Sequence, residues 1–143
     1  PLYDKAEKIY AGALPSDDYR MAALFNNRAA CQESLGNGEA AEANYRRAIA
    51  VLRANGEHDA ELAVSYVNLA QLHEVMYEQD EERDALIADE LEGAWEILTG
   101  RELERDGNYA FVLSKCAPSF THFGQTERGE RLAAEAKRIY EGA

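Results

Sequence analysis

The chain has 143 residues, of which 46% are apolar, and its formal net charge is −12. This length and apolar content suffice for one domain with a hydrophobic core. The acidic balance argues against nucleic acid or an anionic membrane as the main partner, because phosphate binding requires concentrated Lys and Arg. A basic partner is compatible with this charge, although solubility alone is the simpler explanation.

The two cysteines, Cys31 and Cys116, lie far apart and lack the spacing of a metal site. We therefore expect two buried thiols and a cytoplasmic protein in a reducing compartment. No apolar run is long enough to span a membrane, and no signal peptide is visible. Because the chain begins at Pro1 without a methionine, we expect it to be a fragment of a longer protein.

Ala, Leu, Glu and Arg are frequent between Pro15 and Pro118, and no segment alternates apolar and polar residues at period two. These residues favour helices because they lose little side-chain freedom there, so the sequence predicts an all-α fold. Seven helices are predicted, near residues 2–13, 17–35, 38–54, 59–78, 81–98, 108–123 and 126–141.

Turn and cap residues predict the ends of these helices. Pro15 ends the first helix, and Ser16 or Asp17 caps the second. Glycine supplies most of the later signals because it tolerates the left-handed backbone that often follows a helix. Helix ends are predicted at Gly36, at Asn55 and Gly56, at Thr99 and Gly100, and at Gly124, with a helix start at Gly107 and Asn108. Pro118 falls inside the sixth helix and predicts a kink there.

Small and aromatic residues recur at a fixed offset of 35 along the chain. The pattern Tyr3-x-x-Ala6-x-x-x-Tyr10-x-x-Ala13-Leu14 returns as Gly38-x-x-Ala41-x-x-x-Tyr45-x-x-Ala48-Ile49. These spacings place the residues on one helix face, where small side chains admit a neighbouring helix and the aromatic fills the space beside them. A helix pair of this kind cannot bury its apolar face alone, so it stacks on the next pair.

Six residues of the second unit resemble a tetratricopeptide repeat: Phe25, Ala29, Gly36, Ala41, Tyr45 and Ala48. The resemblance, which is to bacterial-type members, implies an all-α fold of antiparallel helix pairs stacked as a right-handed superhelix. It implies a single domain, 1–143, with a half repeat at 1–14 and repeats at 22–55, 63–98 and 110–142. The third unit has about five extra residues near Tyr77, similar to the longer kinesin-light-chain repeats. In the fourth, Gly129 replaces the usual alanine.

In this family the first helix of each pair lines a concave groove, and the resemblance implies that the groove binds a peptide or protein. By repeat position, the groove residues are Asn26, Asn27, Asn68, Gln71, Phe111 and Lys115. Asn27, Asn68 and Lys115 share one position and would form a ladder. An asparagine amide can both donate to and accept from an extended backbone. The alternative is that these asparagines tie one helix to the next.

No catalytic or metal site is expected. His73 and Glu74 begin like a zinc-protease motif, but Tyr77 stands where the second histidine is required. Acidic clusters are typical of a solvated face, and neither cysteine has an evident histidine base. The sequence therefore predicts a peptide- or protein-binding scaffold without cofactor or enzymatic activity. The alternative is a peptide-sensing regulatory arm of a larger regulator, and the half repeat predicts a homodimer through exposed solenoid ends.

Overall fold

A computed structural model describes residues 2–13, 18–100 and 103–142, apart from the side chains of Tyr10, Ala11 and Ala13. Within these residues the chain forms seven α-helices and no strand, which confirms the predicted all-α fold. The helices are α1 (Leu2–Ala13), α2 (Tyr19–Ser34), α3 (Gly38–Asn55), α4 (Asp59–Met76), α5 (Glu81–Leu98), α6 (Gly107–His122) and α7 (Thr126–Gly142). None of these described helices is long and apolar enough to cross a membrane.

Aspartate caps begin three of the helices. The carboxylate of Asp18 accepts a hydrogen bond from the backbone N–H of Arg20 at 2.9 Å, which satisfies a donor that the first turn of α2 leaves unpaired. Asp80 caps α5 and Asp106 caps α6 in the same way. The prediction of Ser16 or Asp17 as the cap of the second helix is therefore wrong, because Asp18 takes this position. Pro15, Ser16 and Asp17 lie outside the described residues, as does Leu14.

Glycines end the helices where the sequence predicts. Gly36, Gly56 and Gly124 have φ angles of 80°, 71° and 85°, in the left-handed region that favours glycine. The fifth helix ends at Thr99, also as predicted. The connections are short, so each pair of helices packs closely.

The helices pair in chain order, α2 with α3, α4 with α5 and α6 with α7. The half repeat α1 packs on α2, and α4 packs on α3 and α6. Hydrogen bonds join the first helices of successive pairs: Asn26 of α2 to Ser65 of α4, and Gln71 of α4 to Ser119 of α6. The molecule is therefore a stack of helix pairs of the tetratricopeptide-like type.

Five of the six residues that carry the repeat resemblance are buried in the core, and the sixth, Gly36, is exposed after the end of α2. Ala29, Ala41 and Ala48 are completely buried, and Phe25 and Tyr45 fill the space beside them. The buried residues fall into two clusters, one centred on α2 and α3 and the other on α5, α6 and α7, and α4 contributes to both. Helix α4 is thus the central element of the stack.

Close approach of α6 and α7 explains why the fourth unit departs from the repeat pattern. A Cβ atom on Gly129 would lie 2.1 Å from Oγ1 of Thr121 and 2.9 Å from the carbonyl oxygen of Ala117. Even alanine is too large at this crossing, so glycine replaces it. Helix α6 continues as α-helix through Pro118.

The cysteines differ in exposure. Cys116 is buried, and burial raises the pKa of its thiol to about 12, which makes it a poor nucleophile. Cys31 is exposed, so the expectation of two buried thiols is wrong for this residue. The buried side of α2 runs through Phe25 and Ala29, and Cys31 lies about 200° around the helix from Ala29.

Candidate functional site

The first helices of the three repeats carry matching exposed stripes. Each stripe takes positions i, i+4, i+7 and i+11, which lie on one side of a helix. Their residues are Ala23, Asn27, Ala30 and Ser34 in α2, Val64, Asn68, Gln71 and Val75 in α4, and Phe111, Lys115, Pro118 and His122 in α6. We call this surface the first-helix face. All twelve residues are exposed or half-exposed, and none is a carboxylate, although the chain contains 27 Asp and Glu.

Five of the six predicted groove residues lie on the first-helix face. Asn27, Asn68 and Lys115 take the second position of the three stripes. Phe111 is 57% exposed and, with the 76% exposed Val75, is a large apolar side chain on this surface. The face thus combines exposed apolar groups with amides and one ammonium group.

Asn26 lies beside this face, and its side chain joins α2 to α4. Its Nδ2 donates to Oγ of Ser65 at 3.1 Å, and that hydroxyl lies 3.0 Å from the carbonyl oxygen of Glu61, to which it can donate. Ser65 is completely buried, so the amide satisfies a polar group that would otherwise be costly in the core. Asn26 precedes Asn27 by one residue and therefore points about 100° away from it.

Gln71 links two helices as well as lying on the face. Its Nε2 donates to Oγ of the buried Ser119 at 2.7 Å. At the same interface, Nε2 of His122 lies 2.8 Å from a carboxylate oxygen of Glu74. These bonds hold α4 against α6 and thereby fix the spacing of two of the three stripes.

A buried charged cluster lies where α3, α4 and α5 meet, and sequence reasoning missed it. His73 is completely buried, its Nδ1 bonds to Oε1 of Glu90, and its Nε2 lies 3.1 Å from Oε1 of Glu42. Arg46 also pairs with Glu42 at 2.9 Å, and the hydroxyl of Tyr77 donates to it at 3.2 Å. The second oxygen of Glu90 is buried without a hydrogen-bond partner among the described residues.

The two carboxylates favour a protonated His73. Burial alone would lower the pKa of His73, but hydrogen bonds and charges, first from Glu90 and then from Glu42, raise it above its ordinary value. Burial raises the pKa of Glu90, with His73 opposing the shift. Burial also acts to raise the pKa of Glu42, but Arg46 and His73 outweigh it and the pKa is lowered. Both ring nitrogens are therefore engaged in holding three helices together.

One signal in the sequence marks this cluster. Glu90 falls between Ile87, Leu91 and Ala94, all buried, on the apolar side of α5. A carboxylate at such a position requires a partner. The partner, His73, comes from a different helix, and only the packing of α4 on α5 identifies it. Among the described residues, no group of three or more His, Cys, Asp or Glu side chains is arranged to hold a metal ion.

Comparison with known proteins supports the fold. No protein-family model matches the chain, and no curated protein is significantly similar to it. Among solved structures, the chain is similar to the crystal structure of BtubC (BKLC) from P. vanneervenii, with a TM-score of 0.63 and 24% sequence identity. The match covers 98% of this chain and 54% of that one, so the chain spans about half the length of BtubC. At this identity the similarity shows a shared helical-repeat fold.

Proposed function

We propose that the chain is a binding scaffold whose first-helix face holds an extended segment of another protein. The observation that carries the proposal is that none of the twelve residues of the first-helix face is a carboxylate, in a protein with a net charge of −12, although Glu74 lies beside the face and contacts His122. A random distribution of 27 acidic residues over the surface would place several on twelve exposed positions. Their absence indicates a surface suited to uncharged groups.

The chemistry of the face defines the segment that it would accept. Phe111 and Val75 offer apolar anchor contacts, which usually supply most of the binding energy. The amides of Asn27 and Asn68 can pair with backbone N–H and C=O groups of an extended peptide. Lys115, the ammonium group beside them, disfavours a basic side chain at that point. We therefore expect a segment with an apolar anchor and few positive charges.

The proposal is of a scaffold and not of an enzyme, and it requires no cofactor. The described residues that resemble acid–base machinery, Glu42, His73 and Glu90, meet around an imidazole that has no exposed surface. A substrate would have to displace packed helices to reach it. Turnover in a broad hydrolase and transferase screen that persists through repurification would contradict this part of the proposal.

Selection from a displayed library of random linear peptides tests the face directly. Phe111→Ser and Tyr140→Ser are a matched pair, because the two aromatic residues are 57% and 56% exposed in the same repeat but only Phe111 lies on the face. Peptides selected on the wild-type chain should lose at least about tenfold in affinity for Phe111→Ser, since an aromatic anchor is worth more than about 1.4 kcal/mol. They should bind Tyr140→Ser unchanged.

Two outcomes count against this function. One is a set of selected peptides that binds both variants equally, which would place the binding surface elsewhere. The other is a selection that yields no specific peptide while circular dichroism shows a fully folded chain.

The half repeat supports a second, separate proposal of self-association. Helix α1 exposes 77% of Leu2 and 66% of Ile9, and Arg28 holds it to the stack through Asp4 and Glu7. A second copy of the chain could cover these apolar side chains. Sedimentation should then show a dimer that Ile9→Glu converts to monomer, and a wild-type monomer at high concentration would rule the dimer out.

A further inference from the structure

A cavity of about 380 Å³ opens where the connection between α5 and α6 meets α7, away from the first-helix face. Arginine side chains from both segments line it: Arg105 from the connection, and Arg131 and Arg138 from α7. Tyr109 and Leu132 contribute an apolar wall. Among the described residues of the lining, the one carboxylate is that of Glu135, so these residues carry a net charge of +2 in a chain whose net charge is −12.

The three guanidinium groups differ in how many hydrogen bonds and ion pairs they already make within the protein. Arg138 is paired with both oxygens of Glu135, at 2.9 and 2.6 Å. Arg105 lies 4.5 Å from the centre of the Tyr109 ring and donates one hydrogen bond from each terminal nitrogen, to the carbonyls of Leu98 and Gly100. Arg105 is therefore held in place with three of its five N–H donors not used by these bonds.

Of the three arginines, Arg131 makes no hydrogen bond or ion pair with the described residues. Its guanidinium lies 5.2 Å from the centre of the Trp95 ring, a cation–π contact that positions the group and consumes none of its five N–H donors. Glu135 is already bound to Arg138, so it does not neutralise Arg131 fully. Arg131 thus lines the cavity with N–H donors that an oxyanion bound there could pair with.

We propose that this cavity binds a small phosphate monoester. The phosphate dianion matches the charge of +2, and guanidinium donors suit tetrahedral oxyanions in a way that a single ammonium does not. The wall of Tyr109 and Leu132 accepts the organic group of the ester. The volume lies within the range of about 300 to 1,000 Å³ that small-molecule sites occupy.

Titration calorimetry with phenyl phosphate, inorganic phosphate and benzoate tests the proposal. Phenyl phosphate should bind more tightly than the other two, because inorganic phosphate leaves the apolar wall empty and benzoate carries a single charge. Arg131→Gln should weaken phenyl phosphate at least about tenfold, since a charge-assisted hydrogen bond is worth about 1.5–3 kcal/mol.

Arg128→Gln is the matched control. Arg128 lies one turn earlier on α7 and also covers the Trp95 ring, at 4.7 Å, but it pairs with Glu92 and does not line the cavity. This variant should bind phenyl phosphate within about twofold of wild type. Glu135→Gln should bind it severalfold more tightly because the competing carboxylate is removed, and a loss of folding could not produce that gain.

The assignment would be overturned if phenyl phosphate did not bind at about 10 mM. Equal binding by wild type and Arg131→Gln, or weaker binding by Glu135→Gln, would overturn it as well. Equal affinity for inorganic phosphate and phenyl phosphate would also overturn it, since the apolar wall would then contribute nothing. The site is independent of the proposed peptide-binding face, so Phe111→Ser should bind phenyl phosphate as wild type does.

Discussion

Two junctions between repeats are built from different chemistry. Between the second and third repeats, Glu42, His73 and Glu90 form a buried charged cluster. Between the third and fourth, the ring of Trp95 meets that of Phe120 edge-on, with centroids 5.9 Å apart. Apolar packing stabilises a junction at any pH and tolerates small rotations, whereas buried charges require one geometry and one protonation state. The comparison indicates that the charged cluster adds a required geometry and protonation state to a junction that also has apolar packing, through Leu62, Leu69 and Leu72 of α4.

The largest expected effect lies at the apolar junction. Phe120 is completely buried, so Phe120→Ala removes an aromatic ring from packed surroundings and should cost about 3–5 kcal/mol of unfolding free energy. Urea denaturation measures this loss, which should be the same across neutral pH. The exposed Phe111→Ala should change stability by less than about 0.5 kcal/mol. A pH-dependent loss in Phe120→Ala would mean that the two junctions are not distinct.

The charged junction should respond differently to single and double changes. His73→Ala leaves Glu90 buried beside a cavity and should cost about 3 kcal/mol. The double variant His73→Leu with Glu90→Leu removes both buried groups and should recover most of that loss, while Glu42 keeps its pairing with Arg46. A double variant as unstable as His73→Ala would show that the cluster contributes to stability itself. Recovered stability with altered helix packing would show that it fixes the arrangement.

The pH dependence of stability separates the junctions further. The pKa of His73 is raised in the folded state, so its contribution is complete below its ordinary pKa of 6.5 and is lost as pH rises through the folded value. The raised pKa of Glu90 acts in the same direction, because ionising the buried carboxyl destabilises the fold. The lowered pKa of Glu42 contributes above its ordinary value of 4.5 and is lost in acid.

The free energy of unfolding should therefore be greatest between the ordinary pKa values of 4.5 for Glu42 and 6.5 for His73, and it should fall toward alkaline pH. Arg46 and Tyr77 also face Glu42, and burial raises the pKa of the Tyr77 hydroxyl above its ordinary value, so that hydroxyl stays neutral across this range. Thermal melts at successive pH values measure the profile. The double leucine variant should lose the alkaline slope. An unchanged slope in that variant would assign the dependence to other groups.

The sequence predicts the stack of helices well because the spacing of residues along each helix determines which side chains are buried. Phe25, Ala29, Ala41, Tyr45 and Ala48 are all buried as their spacing requires, since residues three and four apart share a helix face in any context. Helix ends are predictable for a similar reason, because a glycine with a positive φ angle ends the helix through its own backbone conformation. These features need no knowledge of what packs against what.

The features that the sequence did not predict depend on how separate helices meet. Asn26 and Asn27 are neighbours of the same type, yet only Asn26 reaches Ser65, which is decided by the rotation of α2 against α4. The partner of Glu90 comes from α4, and the arginine cavity requires the connection after α5 to lie beside α7. Pattern analysis assigns residues to faces, but it does not tell which faces meet.

Glycine substitutions within helix pairs give the smallest expected effects. They test the packing of two helices inside one repeat, whereas the changes above test the packing between repeats. Gly129→Ala should cost about 1–3 kcal/mol, because its Cβ would meet the backbone of α6 as well as Oγ1 of Thr121. Thr121→Ala should restore only part of this loss, since the carbonyl of Ala117 remains 2.9 Å away.

Gly93, in the middle of α5, differs from Gly129 because its surroundings can accommodate a Cβ atom. A Cβ there would lie 3.6 Å from the Tyr66 ring, an ordinary van der Waals contact. Gly93→Ala should therefore stabilise the chain by about 0.5–1 kcal/mol, the difference in helix propensity between the two residues. Chemical denaturation of both variants tests the assignment. If both glycines tolerate alanine equally, α6 and α7 are farther apart than their packing shows, and glycine at position 129 is not a requirement of the fourth repeat.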